Sequence, residues 1–179
     1  MKQWICLFSQ TGTEIVDLSA KLGIIPDLVF TNNANREQYN PGLKNVEYLP
    51  HDQLMELFRS ADMKNHSEDT LVTLHGYLRI IPADICDMYE IYNGHPAAIK
   101  LYPELKGFNP QVRAWENREK YPIIGSVVHK VTPGVDEGEI VASIEYINRV
   151  DSLDEMYAVL RKASLQSWSF FLKRTLVWQ

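Results

Sequence analysis

The sequence predicts an α/β fold, with a doubly wound, mostly parallel sheet covered by helices on both faces. Three observations predict it. Short apolar runs of strand length alternate with longer stretches of helical periodicity. The chain opens on a strand, a small polar loop and a helix, the first half of a βαβ unit. No repeat, low-complexity segment or internal linker breaks the pattern, so residues 1–179 are expected to form a single domain.

The elements follow in order. Trp4 to Phe8 is a nearly continuous apolar run ending at Ser9-Gln10-Thr11-Gly12-Thr13, and Ile15, Val16, Leu18 and Leu22 then recur at helical spacing from Glu14 to Leu22. Leu28-Val29-Phe30 reads as a second buried strand, residues 34–44 as a loop turning at Asn40-Pro41-Gly42, and Val46 to Leu49 as a third strand. A helix carrying Leu54, Met55, Leu57 and Phe58 follows. The polar stretch Lys64 to Asp69 precedes a fourth strand, Thr70 to Leu74. Pro82 suits the first turn of a short helix through Tyr89. Ile91 and Tyr92 lead as a strand into Asn93-Gly94-His95-Pro96, and Asn109-Pro110 opens a helix to about Arg118. Ile123 to Val131 and Ile140 to Ile147 are the last strands. Ser152-Leu153-Asp154-Glu155 is a capping-box signature. The helix it starts places Leu153, Met156, Tyr157, Leu160, Trp168 and Phe171 on one core-facing side.

Composition narrows the function classes. A hydrophobic fraction of 45%, a charged fraction of 23% and a net charge of −5 are those of an ordinary soluble globular protein and give no basic stripe for nucleic acid. Cys6 and Cys86 sit in apolar segments without paired spacing and read as buried thiols of a reducing compartment. No apolar run spans a bilayer, and Met1-Lys2-Gln3-Trp4 leads straight into a strand, so a cytoplasmic protein without membrane contact is expected. His51, His66 and His75 share no ligand spacing with the cysteines, and no metal site is expected. Gly12 is too little for a dinucleotide fingerprint, and no Gly-x-Ser-x-Gly elbow is present.

The candidate chemistry lies in Asn93 and His95. On extended backbone, side chains at i and i+2 point to the same side, so amide and imidazole can aim at one atom. About forty residues later Asp136 stands in a Pro133-Gly134…Gly138 loop, from which a carboxylate could orient or charge the imidazole. Amide, imidazole and carboxylate suit acyl transfer through an oxyanion. Plainer readings stand beside these. Asn93-Gly94 is a turn signal, Asp136 could only support its own turn, and Arg79 could serve an ion pair. His129 is a core or a site residue with equal reason.

Three segments carry a resemblance: Leu74-His75-Gly76-Tyr77-Leu78-Arg79-Ile80-Ile81, Asn93-Gly94-His95-Pro96, and Val131-Thr132-Pro133-Gly134-Val135-Asp136-Glu137-Gly138. In this order the chain resembles the folate-dependent formyltransferases, a family that includes glycinamide ribonucleotide, methionyl-tRNA and sugar-amine formyltransferases. The resemblance implies a Rossmann-like formyltransferase fold and transfer of a formyl group from 10-formyltetrahydrofolate to a primary amine of a small, phosphorylated or nucleotide-like acceptor. It implies Asn93, His95 and Asp136 as catalytic residues. Leu78, Arg79, Ile80 and Ile81 would line a pterin slot, with Thr132 and Val135 on the opposite wall. Ile80 and Ile81, at a strand end, would give that wall stiffness. The alternatives are a formyltetrahydrofolate hydrolase and a folate-binding module without catalysis.

The acceptor side departs from the family. Glycinamide ribonucleotide enzymes carry a Gly-x-Gly-Ser-Asn-like phosphate loop where this chain has Gln10-Thr11-Gly12-Thr13-Glu14. Thr11, Gly12 and Thr13 can still serve substrate at a helix N-terminus, whereas Glu14 would repel phosphate. Ser164 or a neighbour stands where those enzymes hold ribose with Glu. Lys100, Lys106 and Arg113, around a longer loop, are candidate anion contacts. A methionyl-tRNA acceptor is not expected, and the protein is expected to be a monomer or homodimer.

Overall fold

The computed structural model describes residues 2–177. Seven strands form one sheet in the order β3-β2-β1-β4-β5-β6-β7. They are β1 (Gln3–Phe8), β2 (Leu28–Thr31), β3 (Val46–Tyr48), β4 (Thr70–Leu74), β5 (Glu90–His95), β6 (Ile123–Lys130) and β7 (Ile140–Ile147). The first five are parallel; β6 and β7 are antiparallel to their neighbours. The strict βα alternation expected from sequence therefore ends at β6. The stretch joining β6 to β7 is too short for the crossover that a parallel pair requires.

Helices α1 (Thr13–Leu22) and α6 (Leu153–Leu172) cover one face of the sheet. On the other lie α2 (His51–Arg59), α3 (Ala61–Asn65) and α4 (Ala83–Met88), while α5 (Pro110–Glu116) packs beside α6. The alternation along β1 shows why this strand is central. Ile5 and Leu7 join Leu54, Phe58 and Ile85 in one core, and Trp4, Cys6 and Phe8 join Ile15, Leu18 and Trp168 in the other. A strand buried on both faces is mostly apolar, as β1 is from Trp4 to Phe8; in β4 the buried hydroxyls of Thr70 and Thr73 are hydrogen-bonded, to the His66 carbonyl and to Trp4 Nε1. Cys6 and Cys86 are free and buried.

The helix signals mostly act as the sequence implies. Gly23, left-handed at φ 70°, ends α1. Ser152 accepts from the Glu155 N–H at the start of α6, and the Glu155 carboxylate accepts from the Asp151 N–H. Tyr157 departs from the expected face: it is exposed, while Met156, Leu160, Trp168 and Phe171 are buried. Among the described residues no helix is long and apolar enough to cross a membrane.

Candidate active site

The carboxyl ends of the parallel strands carry the polar residues. Asn93 and His95 both lie within β5, so Asn93-Gly94 is strand and not the turn its dipeptide suggests. Gly94 is there for space. A Cβ on it would lie 2.5 Å from the indole Nε1 of Trp168, which is wholly buried. The indole thus presses on the strand between the two candidate side chains, and among the described residues its N–H has no hydrogen-bond partner.

Pairing with β6 supplies a residue that sequence reasoning left undecided. The antiparallel ladder sets His129 opposite Asn93, at a bulge between Val128 and His129. Asp136 returns from the β6–β7 loop at φ 52°, a left-handed conformation that Asp tolerates better than most residues. Its Oδ2 lies 3.1 Å from His95 Nδ1 and its Oδ1 lies 3.2 Å from His129 Nε2. The Gly107 N–H donates to Oδ2 at 2.9 Å. Burial alone would raise this carboxyl. Hydrogen bonds from His129, His95 and the Gly107 amide outweigh it and hold Asp136 ionised, well below the usual carboxylate range.

The remaining ring nitrogens also face acceptors. His95 Nε2 is 2.9 Å from the Leu105 carbonyl oxygen and His129 Nδ1 is 3.0 Å from that of Lys130. An oxygen that can only accept requires an N–H on each of these nitrogens. The Asn93 carboxamide nitrogen is 3.5 Å from His129 Nε2, at the outer limit of a hydrogen bond. Ser126 Oγ donates to the His95 carbonyl, fixing the backbone under the imidazole.

A cavity of about 470 Å³ opens over this cluster, within the range that holds small-molecule ligands. Leu78, Arg79, Ile80, Ile81, Thr132 and Val135 all line it, together with Asn93, His95, His129 and Asp136. All six residues expected along a pterin slot therefore border the cavity, with two corrections. Ile80 and Ile81 stand in the loop after β4, not at a strand end, because the ladder stops at Leu74. Ile81 is almost wholly buried in the core, whereas Leu78 and Ile80 are exposed. Arg79 makes no ion pair among the described residues and is exposed at the rim.

The acceptor-side residues sit elsewhere. None of Thr11, Gly12 and Thr13 is among the residues lining the cavity; Gly12 is buried beneath Leu43, and the Thr11 and Thr13 hydroxyls bond each other at 2.9 Å. Lys100 and Lys106 line a separate cavity beside Asp136, with Glu137 and Phe170. Arg113 is not a free anion contact. Its guanidinium donates to the carbonyls of Glu104, Leu105 and Lys106 and holds the loop that supplies the Gly107 amide.

Comparison with known proteins gives the family and the fold. The sequence profile described as formyl transferase matches residues 6–169. A phosphoribosylglycinamide formyltransferase from Streptococcus pneumoniae TIGR4 superposes with a TM-score of 0.77 at 21% identity, over 99% of this chain and 100% of its own. One from Campylobacter jejuni subsp. jejuni NCTC 11168 gives 0.78 at 18% identity, over 98% of each chain. Glycinamide ribonucleotide transformylase 1 from Geobacillus kaustophilus gives 0.75 at 22% identity, over 98% of this chain and 99% of its own. These structures share the fold.

Proposed function

Because the chain belongs to the formyl transferase family, we propose that it moves a formyl group from 10-formyltetrahydrofolate to a primary amine of a small acceptor, with Asn93, His95 and Asp136 as the catalytic residues. The observation that carries this reading is the Asp136 carboxyl group bridging two imidazoles among the residues that line the cavity. The cavity also fits the donor. Its lining includes the exposed apolar side chains of Leu78, Ile80 and Val135, which would enclose a flat heterocycle.

The residues then divide the work. The acceptor nitrogen attacks the formyl carbon, and its oxygen gains negative charge. The Asn93 N–H donates to that oxygen, and the loss of one such donor costs about 3–4 kcal/mol of transition-state stabilisation. His95 contributes positive charge maintained by Asp136. Its Nε2–H reaches the oxygen only by leaving the Leu105 carbonyl. Asp136 helps carry the proton from the attacking amine toward the departing N10, directly or through water. The C–N10 bond breaks, and N10 takes the proton.

Release of tetrahydrofolate upon addition of an amine tests the reading. Tetrahydrofolate that forms only when amine is present supports it. Amine-independent release would mean a hydrolase, and tight folate binding without turnover would mean a binding module.

A further inference from the structure

The sheet reverses its order of growth between β1 and β4, and open parallel sheets take ligands outside the strand ends at such a point. The β1–α1 loop and the residues after β4 flank this crevice. Gln10 and Gly76 mark its border with the catalytic cavity. The first turn of α1, beside that loop, carries a carboxylate, Glu14. Glu14 Oε2 is 2.8 Å from His75 Nδ1, and Glu14 Oε1 accepts from Ser164 Oγ at 2.5 Å.

This carboxylate is held from behind. His75 Nε2 lies 2.9 Å from Thr73 Oγ1, which accepts from Trp4 Nε1, and the imidazole rests on Trp168 with ring centroids 4.7 Å apart. The His75 side chain has no exposed surface, whereas the Glu14 side chain is 25% exposed. The imidazole is committed inward, and only part of the Glu14 side chain reaches the surface. Each carboxylate oxygen accepts about two hydrogen bonds. His75 and Ser164 supply one apiece, which leaves capacity for donors from a ligand.

An anion has little to bind here. The Thr13 N–H, at the start of α1, already donates to Thr11 Oγ1, and Leu43 covers Gly12. Glu14 itself repels a second negative charge. We propose that the amine acceptor presents hydrogen-bond donors, hydroxyl or ammonium, to Glu14 and carries no phosphate at that end. Glu14 is thus a specificity-determining residue, with His75 and Ser164 as its positioning residues. This inference rests on the formyl-transfer reading of the neighbouring cavity.

The test compares wild type with Glu14→Gln, Glu14→Asp and Ser164→Ala. Glucosamine, 1,4-diaminobutane and glycinamide ribonucleotide serve as acceptors, with 10-formyltetrahydrofolate as donor. Glucosamine separates hydroxyl from ammonium recognition when compared with the diamine. An unphosphorylated amine should be the better wild-type acceptor. Its KM should rise about tenfold to a hundredfold in Glu14→Gln, less in Ser164→Ala, and recover partly in Glu14→Asp, while the donor KM stays within about twofold. Glycinamide ribonucleotide should be poor with wild type and improve in Glu14→Gln. Preference of wild type for glycinamide ribonucleotide, or an acceptor KM unmoved in Glu14→Gln, overturns the inference. If no acceptor turns over, formyl transfer itself fails, and calorimetric titration of the same amines decides the role of Glu14. Binding of unphosphorylated amines that weakens in Glu14→Gln upholds it; equal binding, phosphate-dependent binding or none overturns it.

Discussion

Replacing Gly94 by alanine strikes the site from behind without altering any polar group. The added Cβ would stand 2.5 Å from Trp168 Nε1, 3.1 Å from Cε2 and 3.4 Å from Cζ2. The indole has nowhere to retreat, since it is fully buried against His75 and Phe171. Overpacking of this kind costs about 1–3 kcal/mol, which for a chain of this size lowers Tm by about 3–10 °C. The cheaper relaxation moves β5 outward and carries Asn93 and His95 away from Asp136. A misplacement of about 1 Å at reacting groups reduces rate by about 10²-fold. Thermal unfolding and formyl-transfer kinetics of Gly94→Ala, Trp168→Phe and the double variant read both effects. Trp168→Phe removes the atoms in the way, so the double variant should recover part of the Gly94→Ala loss, with a coupling of about 0.5–3 kcal/mol. Strict additivity, or a Gly94→Ala protein as stable and active as wild type, would refute the steric account.

Other outcomes follow from the same contacts. Asp136→Asn should lower kcat by about 10²-fold or more while the donor Kd, measured by titration, changes little; equal activity would remove Asp136 from the chemistry. The pH dependence of stability has a definite sign. Asp136 and Glu14 are both lowered in the fold, so their contribution is fully present above the unfolded carboxyl value of about 4 and is lost as pH falls below it. Acid unfolding of Asp136→Asn should therefore show a shallower loss of stability below about pH 4 than wild type. His129→Phe should reduce kcat about tenfold or more with the donor KM near its original value, because it removes one of two imidazoles on the carboxylate; a kinetically silent variant would make His129 a packing residue. Arg113→Met removes a donor from three carbonyls and leaves only that of Leu105 with another partner, His95, so hydrogen exchange of the Leu105 to Gly107 amides should accelerate. Unchanged protection would show that the loop is held by other contacts.

The periodic parts of this molecule were legible in the sequence because local burial dictates them. β1 reads as a strand since Trp4 to Phe8 is apolar on both faces, β4 reads as one from a short β-branched and apolar run, and α6 starts where its capping residues say. Asn93 and His95 could be paired from strand alternation alone. Asp136 could be offered from its loop as a partner for the imidazole, but only the resemblance singled it out, since nothing local fixes where a loop about forty residues away will fold back. His129 stayed ambiguous for the same reason: its place beside Asn93 depends on the register of β5 with β6, which the sequence does not print. Glu14 was visible as a misplaced charge, yet its imidazole and hydroxyl partners lie 61 and 150 residues away. Arg113 misled because a guanidinium facing backbone carbonyls looks, in sequence, the same as one awaiting an anion.

One oxygen atom of this protein answers to two masters. Asp136 Oδ2 receives both the His95 ring and the Gly107 amide. An acceptor bulky enough to lift the segment around Gly107 also loosens the carboxylate's hold on the imidazole. Ligand size and proton chemistry are therefore not independent dials, and widening the entrance by rebuilding that segment will retune the reaction itself.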